Sequence, residues 1–349
     1  MERKNVRTFI LLAVLGLSNA VSADVSCDEQ LVVFGDSLSD TGNVFVLEQG
    51  TFPPSPPYAG GRFTDGLGFS PGIVWVEYLA DMLGLQRPAA RLTTNSPSTN
   101  YAFGGAVTGS IPAVFHPALN PETTLQGGLP LDDQVGFFLK DVQDSTLPSI
   151  SDCGLDPANS LFVVWIGSND ILLLAEKKPK RAVQSIRSNI EKLIEVGATQ
   201  FLVANTPDLS SIPGVTGPYS SLFVGNTLLD ESPSKIEKSV IKFNTKLSKA
   251  LDKIEKKNPE VSIHRFDVFS LLSDVQANPE SYGFNSNTAT PLLSEEVLFL
   301  GQPGELIQNV PGETLFWDGV HPNSNAHAVL AEAACRALDR PDATCELGW

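Results

Sequence analysis

The stretch Leu31-Val32-Val33-Phe34-Gly35-Asp36-Ser37-Leu38-Ser39-Asp40-Thr41-Gly42-Asn43 decides how this chain is read. Leu31 to Phe34 is a short apolar run with β-branched residues, which reads as a strand. Gly35 lets the chain turn tightly at its end, and a serine there is presented to the carboxyl edge of the sheet, where α/β sheets bind ligands. Taken alone, a Gly-Asp-Ser turn serves equally well as a strand-to-helix connection with Ser37 or Asp36 as the cap.

Outward from this stretch, short apolar runs alternate with longer helical periods, the signature of a parallel sheet wrapped by helices. Further strands are expected at Leu161 to Ile166, Phe201 to Ala204 and Val261 to Phe266. The first of these, Leu161 to Ile166, lacks polar alternation, so it is expected to be buried on both faces. Residues 73–83, 181–196, 234–257 and 324–338 carry apolar side chains at three- and four-residue spacing or are rich in alanine, and read as helices. Gly50 to Gly68, Ser210 to Ser232 and Asn278 to Gly312 are rich in Pro, Gly, Ser and Asn and read as long surface loops. Loops of that length in a compact enzyme often build or cover a cleft, although plain insertion is as common. No linker divides the chain.

The chain has 349 residues, 42% of them apolar, enough to bury a substantial core. Its 40 acidic and 24 basic residues give a formal charge of −16, a field that repels phosphate polyanions, so nucleic acid is not an expected partner. Arg3, Lys4 and Arg7 precede an apolar run from Phe9 to Leu17, and Val21-Ser22-Ala23 offers a cleavage site, so residues 1–23 read as a secretory signal peptide. That run is far shorter than the ~20 residues of a spanning helix. Without it the charge is −18, and residues 24–349 are expected to form a single, secreted, monomeric domain.

Secretion permits oxidation, so the four cysteines are expected to form two disulfides. Cys335 and Cys345 flank Pro341, which must end the last helix, and are paired. Cys27 and Cys153 then remain, each just before a strand, and meet if those strands are parallel neighbours. No C-x-x-C spacing exists and the four histidines are scattered, so no metal is expected.

The far end of the chain changes the weight of Ser37. In Phe316-Trp317-Asp318-Gly319-Val320-His321-Pro322 an acid precedes a histidine by three residues, and Pro322 keeps His321 out of the helical region and suits the first turn of the next helix. Such a turn can hold an imidazole with one nitrogen on a carboxylate and the other toward a cleft, which is what a serine hydroxyl needs to become a nucleophile. The plain alternative is that Asp318 and His321 only cap that helix. At the end of the Leu161 strand, Gly167-Ser168-Asn169-Asp170 offers a side-chain amide, Asn169, to an oxyanion. Asn100-Tyr101-Ala102-Phe103-Gly104-Gly105-Ala106 offers a backbone donor from Gly104 or Gly105, with Gly105 preferred, and the amide of Ser37 completes a three-point hole.

Four blocks in series, GDSLSDTGN with Ser37, NYAFGGA, GSND with Asn169 and DGVHP with Asp318 and His321, make the chain similar to the GDSL family of SGNH hydrolases. GGRFTDG at 60–66 and the run from Val74 to Ala80 resemble its bacterial secreted lipase, phospholipase and esterase branch. The resemblance implies an α/β fold, a flavodoxin-like three-layer α/β/α sandwich with a five-stranded parallel sheet in the order 2-1-3-4-5. The Ser37 and Asn169 strands are neighbours in it, which supports Cys27 with Cys153. It further implies Ser37 as nucleophile, His321 as general base and acid, Asp318 as its orienter, and Ser37, Gly105 and Asn169 as oxyanion donors. Asp36, Asp40 and Asn43 would hold the nucleophile turn. His116, His264 and His327 have no motif partner and read as structural or surface residues. The chain is expected to lack the autotransporter barrel of some relatives.

The implied activity is hydrolysis of a small-molecule or lipid carboxylic ester through an acyl-enzyme, without a cofactor. Phospholipase A, lysophospholipase and acyl transfer are alternatives within the family. The Thr51 to Tyr58 segment and the loops near Phe223 and Phe284 are candidate apolar walls for an acyl chain. Outside the family stand a metal-dependent phosphoesterase using Asp36, Asp40, Asp318 and His321, and a non-catalytic lipid- or glycan-binding relative.

Overall fold

The computed structural model describes residues 29–55, 57–66, 72–93, 98–109, 128–143, 154–173, 179–216, 232–286, 288 and 313–346. The segment read as a signal peptide, the Cys27–Cys153 pair, His116 and Phe223 lie outside these residues. The strands are β1 (Gln30–Gly35), β2 (Ala89–Ala90), β3 (Ser98–Asn100), β4 (Ser160–Trp165), β5 (Gln200–Ala204) and β6 (Ser262–Phe266). They form one parallel sheet in the order β2-β3-β1-β4-β5-β6.

This corrects the expected count from five strands to six. The additional strand, β2, is a two-residue edge pairing on β3; the other five follow the order 2-1-3-4-5. Neither β2 nor β3 is legible as an apolar run, because Ala89–Ala90 is too short and Ser98-Thr99-Asn100 is polar. The four strands read from sequence are all present within a residue of their expected bounds.

Side chains of each central strand alternate between two cores. Val32, Phe34, Phe162, Val164, Phe201 and Val203 face one side, with α3 (Leu131–Gln143), α5 (Lys180–Glu195) and α7 (Pro233–Lys257). Phe34, Phe162 and Phe201 line up across three strands at centroid spacings of 6.4 and 5.5 Å, with Phe138 of α3 edge-on to Phe162 at 5.3 Å. Leu31, Val33, Leu161, Val163, Trp165 and Leu202 face the other side, with α2 (Trp75–Met82) and α9 (Ser324–Leu338). Burial on both faces explains why β1 and β4 read as continuous apolar runs. Each buried Phe or Leu contributes about 1.5–3 kcal/mol relative to exposure.

Helix α3 and a further helix, α8 (Val268–Ala277), went unread in the sequence. The short helices α1 (Asn43–Leu47), α4 (Ser168–Leu172) and α6 (Pro213–Thr216) are single turns after strands or in loops. Cys335 and Cys345 form a disulfide, which ties α9 to the segment that follows it. Among the described residues no helix is long and apolar enough to cross a membrane.

The end of β1 is fixed from both sides. A Cβ on Gly35 would lie 2.7 Å from the Trp165 carbonyl oxygen of β4, so only glycine fits there. Gln134 of α3 is fully buried; its Oε1 accepts from the Gly35 N–H at 3.0 Å, and its Nε2 donates to the Gly35 carbonyl at 2.8 Å. An apolar residue in its place leaves the Gly35 N–H unpaired. Gln134→Leu is therefore expected to lower the unfolding free energy by about 1–3 kcal/mol, read from urea denaturation; an unchanged midpoint would contradict this account.

Candidate active site

Beyond β1 the backbone folds into one helical turn, in which the N–H groups of Ser39 and Asp40 donate to the Asp36 carbonyl at 3.0 Å each. The Leu38 N–H donates to Asp36 Oδ1 at 3.1 Å. Asp40 accepts four backbone N–H groups, from Gly42, Asn43, Val44 and Gly104, at 2.6 to 3.2 Å. Asn43 donates to the carbonyls of Asn100 and Ala102, and Asn100 to that of Ser39. Asp36, Asp40 and Asn43 thus hold the turn that carries Ser37, and neither Asp36 nor Ser37 caps α1.

The second element is the turn before α9. Trp317 N–H donates to the His321 carbonyl at 2.7 Å, which closes the turn. Asp318 Oδ1 accepts from the backbone of Val320 and of His321 at 2.8 and 2.7 Å. Oδ2 pairs with His321 Nδ1 at 2.7 Å and accepts from the Tyr58 hydroxyl at 2.7 Å. His321 Nε2 lies 2.8 Å from Ser37 Oγ. With Nδ1–H committed to the carboxylate, Nε2 is left to accept the serine proton. The cap of α9 is Asn323, whose side chain accepts from Ala326 N–H, so Asp318 and His321 are not caps, and Pro322 stands outside the helix instead of in its first turn.

The donors expected around an oxyanion gather at the same place. Gly104 N–H is spent on Asp40. The N–H groups of Ser37 and Gly105 have no acceptor among the described residues, which separates Gly105 from its neighbour. Asn169, at the start of α4, donates one amide hydrogen to the Ala106 carbonyl at 2.9 Å and keeps a second.

Ser37, Gly105, Asn169 and His321 line one cavity of about 220 Å³. Its other walls are mostly apolar and include Phe52, Phe63, Leu209, Ile212, Leu271 and Val275. Phe52 answers the expectation for the Thr51 to Tyr58 segment. Phe284 does not line the cavity; it is buried in the core. The contribution of α8 was not readable, since nothing in Val268–Ala277 marks it as cleft and not core. The sequence also missed Tyr58 and Gln134. His264 sits on β6 with its ring near the Ala337 carbonyl, away from the site. Among the described residues no group of three or more His, Cys, Asp or Glu is arranged to hold a metal.

Residues 31–334 match the family described as GDSL-like Lipase/Acylhydrolase. The thermolabile hemolysin of Vibrio parahaemolyticus is 27% identical over 310 residues, covering 87% of this chain and 62% of that protein. The phosphatidylcholine-sterol acyltransferase of Aeromonas hydrophila is 24% identical over 369 residues, covering 94% of this chain and 96% of its own length. Among solved structures, the native aryl esterase of M. smegmatis aligns with 13% identity and a TM-score of 0.41, covering 89% of this chain and 98% of that one.

Burial sets unequal charges around the site. For Asp318 burial works upward but is outweighed by the His321 charge and by hydrogen bonds from His321, Tyr58 and Val320, which hold the carboxyl below the ordinary range. Asp36 and Asp40 are pushed up by burial, to about 7 and about 6. His327, fully buried on α9, accepts from Trp75 N–H through Nδ1 and is pushed down to about 3, by burial first and then by the His321 charge. Unfolding below pH 6.5 therefore adds a proton to His327, so the stability this group contributes is complete above that pH and is lost as pH falls toward 3. Replacing it with asparagine, which can still accept from Trp75, is expected to remove a slope of up to ~1.4 kcal/mol per pH unit. Urea unfolding of wild type and His327→Asn between pH 4.5 and 6.5 checks this; parallel curves would refute it.

Proposed function

As a member of the family of GDSL-like lipases and acylhydrolases, the chain is a carboxylic ester hydrolase, and we propose that it works as a serine esterase on esters with an apolar acyl group. The observation that carries the proposal is the unbroken hydrogen-bond chain from Ser37 Oγ through His321 to Asp318, opening into a mostly apolar cavity. Ser37 Oγ attacks the ester carbonyl while His321 Nε2 takes its proton, and Asp318 stabilises the imidazolium that results. The negative oxygen of the tetrahedral intermediate is received by the N–H groups of Ser37 and Gly105 and the amide of Asn169. Collapse expels the alcohol, protonated by His321, and leaves the acyl group on Ser37. A water, deprotonated by His321, then attacks that acyl group; the bond to Ser37 Oγ breaks, His321 returns the proton to that oxygen, and the acid is released. No cofactor enters these steps.

The match to the Aeromonas acyltransferase along nearly its whole length supports a second reading, in which an alcohol replaces water in the last step. Acyl products formed with and without an added alcohol distinguish the two. The leader pattern in residues 1–23 and the Cys335–Cys345 disulfide support secretion of residues 24–349 as one domain.

Ser37→Ala is expected to lower turnover of a p-nitrophenyl ester by about 10³-fold or more with folding unchanged. Asn169→Ala is expected to lose about 10²- to 10³-fold. An organophosphonate should label Ser37 in the wild type, located by mass spectrometry of the peptide. Wild-type rates in Ser37→Ala would end the proposal.

A further inference from the structure

The GGRFTDG block carries no catalytic side chain, yet four residues between 58 and 65 touch the acid–base turn or the first residue of α9. The Tyr58 hydroxyl reaches Asp318, and the Tyr58 ring stands edge-on to Trp317 with centroids 6.0 Å apart. The Phe63 ring lies 5.1 Å from the His321 imidazole, in space that a side chain on Gly104 would take, since a Cβ there would be 2.4 Å from that ring. The Thr64 hydroxyl approaches the Pro322 carbonyl at 3.3 Å, and Asp65 Oδ1 accepts from Ser324 N–H at 2.6 Å. Arg62 anchors the loop to α2 through two bonds to Glu77, each 2.7 Å long.

Tyr58 and Asp318 are both almost fully buried, so their bond is not shared with bulk water. Asp318 Oδ1 is filled by two backbone N–H groups, while Oδ2 is divided between the imidazole N–H and the phenol. We propose that Tyr58 is a positioning residue for catalysis: by sharing Asp318 Oδ2 with the imidazole, its phenol fixes the carboxylate's orientation and limits how strongly that carboxylate holds the imidazolium. The inference rests on the serine esterase reading above.

Two consequences separate this role from simple packing. Tyr58 does not line the cavity, so its hydroxyl should act on kcat and leave KM alone. Removing the hydroxyl concentrates the carboxylate's charge on the imidazolium, so the protonated ring persists to higher pH and returns its proton to the leaving alcohol more slowly. The other ionisable groups that act on this pair are Asp36, beyond β1 and itself near Asp170, and His327 on α9. Neither is altered by a change at position 58, so both cancel when two enzymes are compared.

The test is the pH profile of kcat/KM for wild type and Tyr58→Phe, beside the pH profile of the phosphonate labelling rate at Ser37. The labelling rate constant reads only folded enzyme, so a smaller folded fraction does not distort it. Tyr58→Phe is expected to lose about tenfold in kcat at unchanged KM, with the acid limb of both profiles displaced upward by about half a pH unit. Thr64→Val, which loosens the same loop without touching Asp318, should leave the limb where it is. If Tyr58→Phe does not fold, 3-fluorotyrosine placed at position 58 keeps the shape and donates more strongly, and should displace the limb downward. Superimposable limbs with kcat within twofold of wild type would overturn the role of Tyr58 alone. Failure of the phosphonate to label Ser37 in the wild type would overturn the esterase reading and this inference with it.

Discussion

A parallel sheet obliges every strand to release its chain at the same edge, and the arrangement of this molecule follows from what happens there between β1 and β4. These two strands pair along their full length, yet the chain leaving β1 goes on to β2 and β3 on one side, while the chain leaving β4 contributes β5 on the other. The departing segments part, and a crevice opens above the two carboxyl ends. Ser37 stands two residues past the first strand and Asn169 four past the second. The position of both side chains is therefore a property of strand order before it is a property of any local motif.

What the crevice demands in return is a dense polar lining without loose ends. A buried N–H or carbonyl without a partner costs about 1–3 kcal/mol, and the turn after β1 exposes several to the interior. Asp40, Asn43, Asn100 and Gln134 satisfy them one by one, with bonds that run from side chain to backbone. Such bonds hold the main chain itself, so Ser37 is placed by the path of the backbone and not by packing of its own small side chain. The same burial that strengthens these bonds drives Asp36 and Asp40 toward protonation, and it leaves His327 neutral within reach of the His321 charge.

This division explains what was legible in the sequence. β1, β4 and β5 could be read because burial on two faces leaves an apolar run, and α7 because its period persists across 25 residues. Ser37, Asn169 and the Asp318–His321 pair could be read because each sits at the end of such an element or in a turn with a local signature. β3 could not, because its pairing residues are polar and its burial comes from the strand beside it. Gln134 hides among the polar positions of a helix and meets Gly35 across 99 residues; Tyr58 meets Asp318 across 260. No spacing rule reaches that far, and an aromatic in a Pro- and Gly-rich loop carries no mark of the atom it will touch.

The hydroxyl of Ser37 and the ring of His321 stand 284 positions apart along the chain. A polypeptide is synthesised from its amino end, so on the roles proposed for them Ser37 exists for nearly the whole of translation without the base that would make it reactive. On those roles an ester hydrolase stays silent throughout its own manufacture, until the turn that bears His321 has emerged and met the end of β1. A chain ended anywhere before residue 321 would then be inert, a safeguard that follows from the order in which the fold threads its sheet.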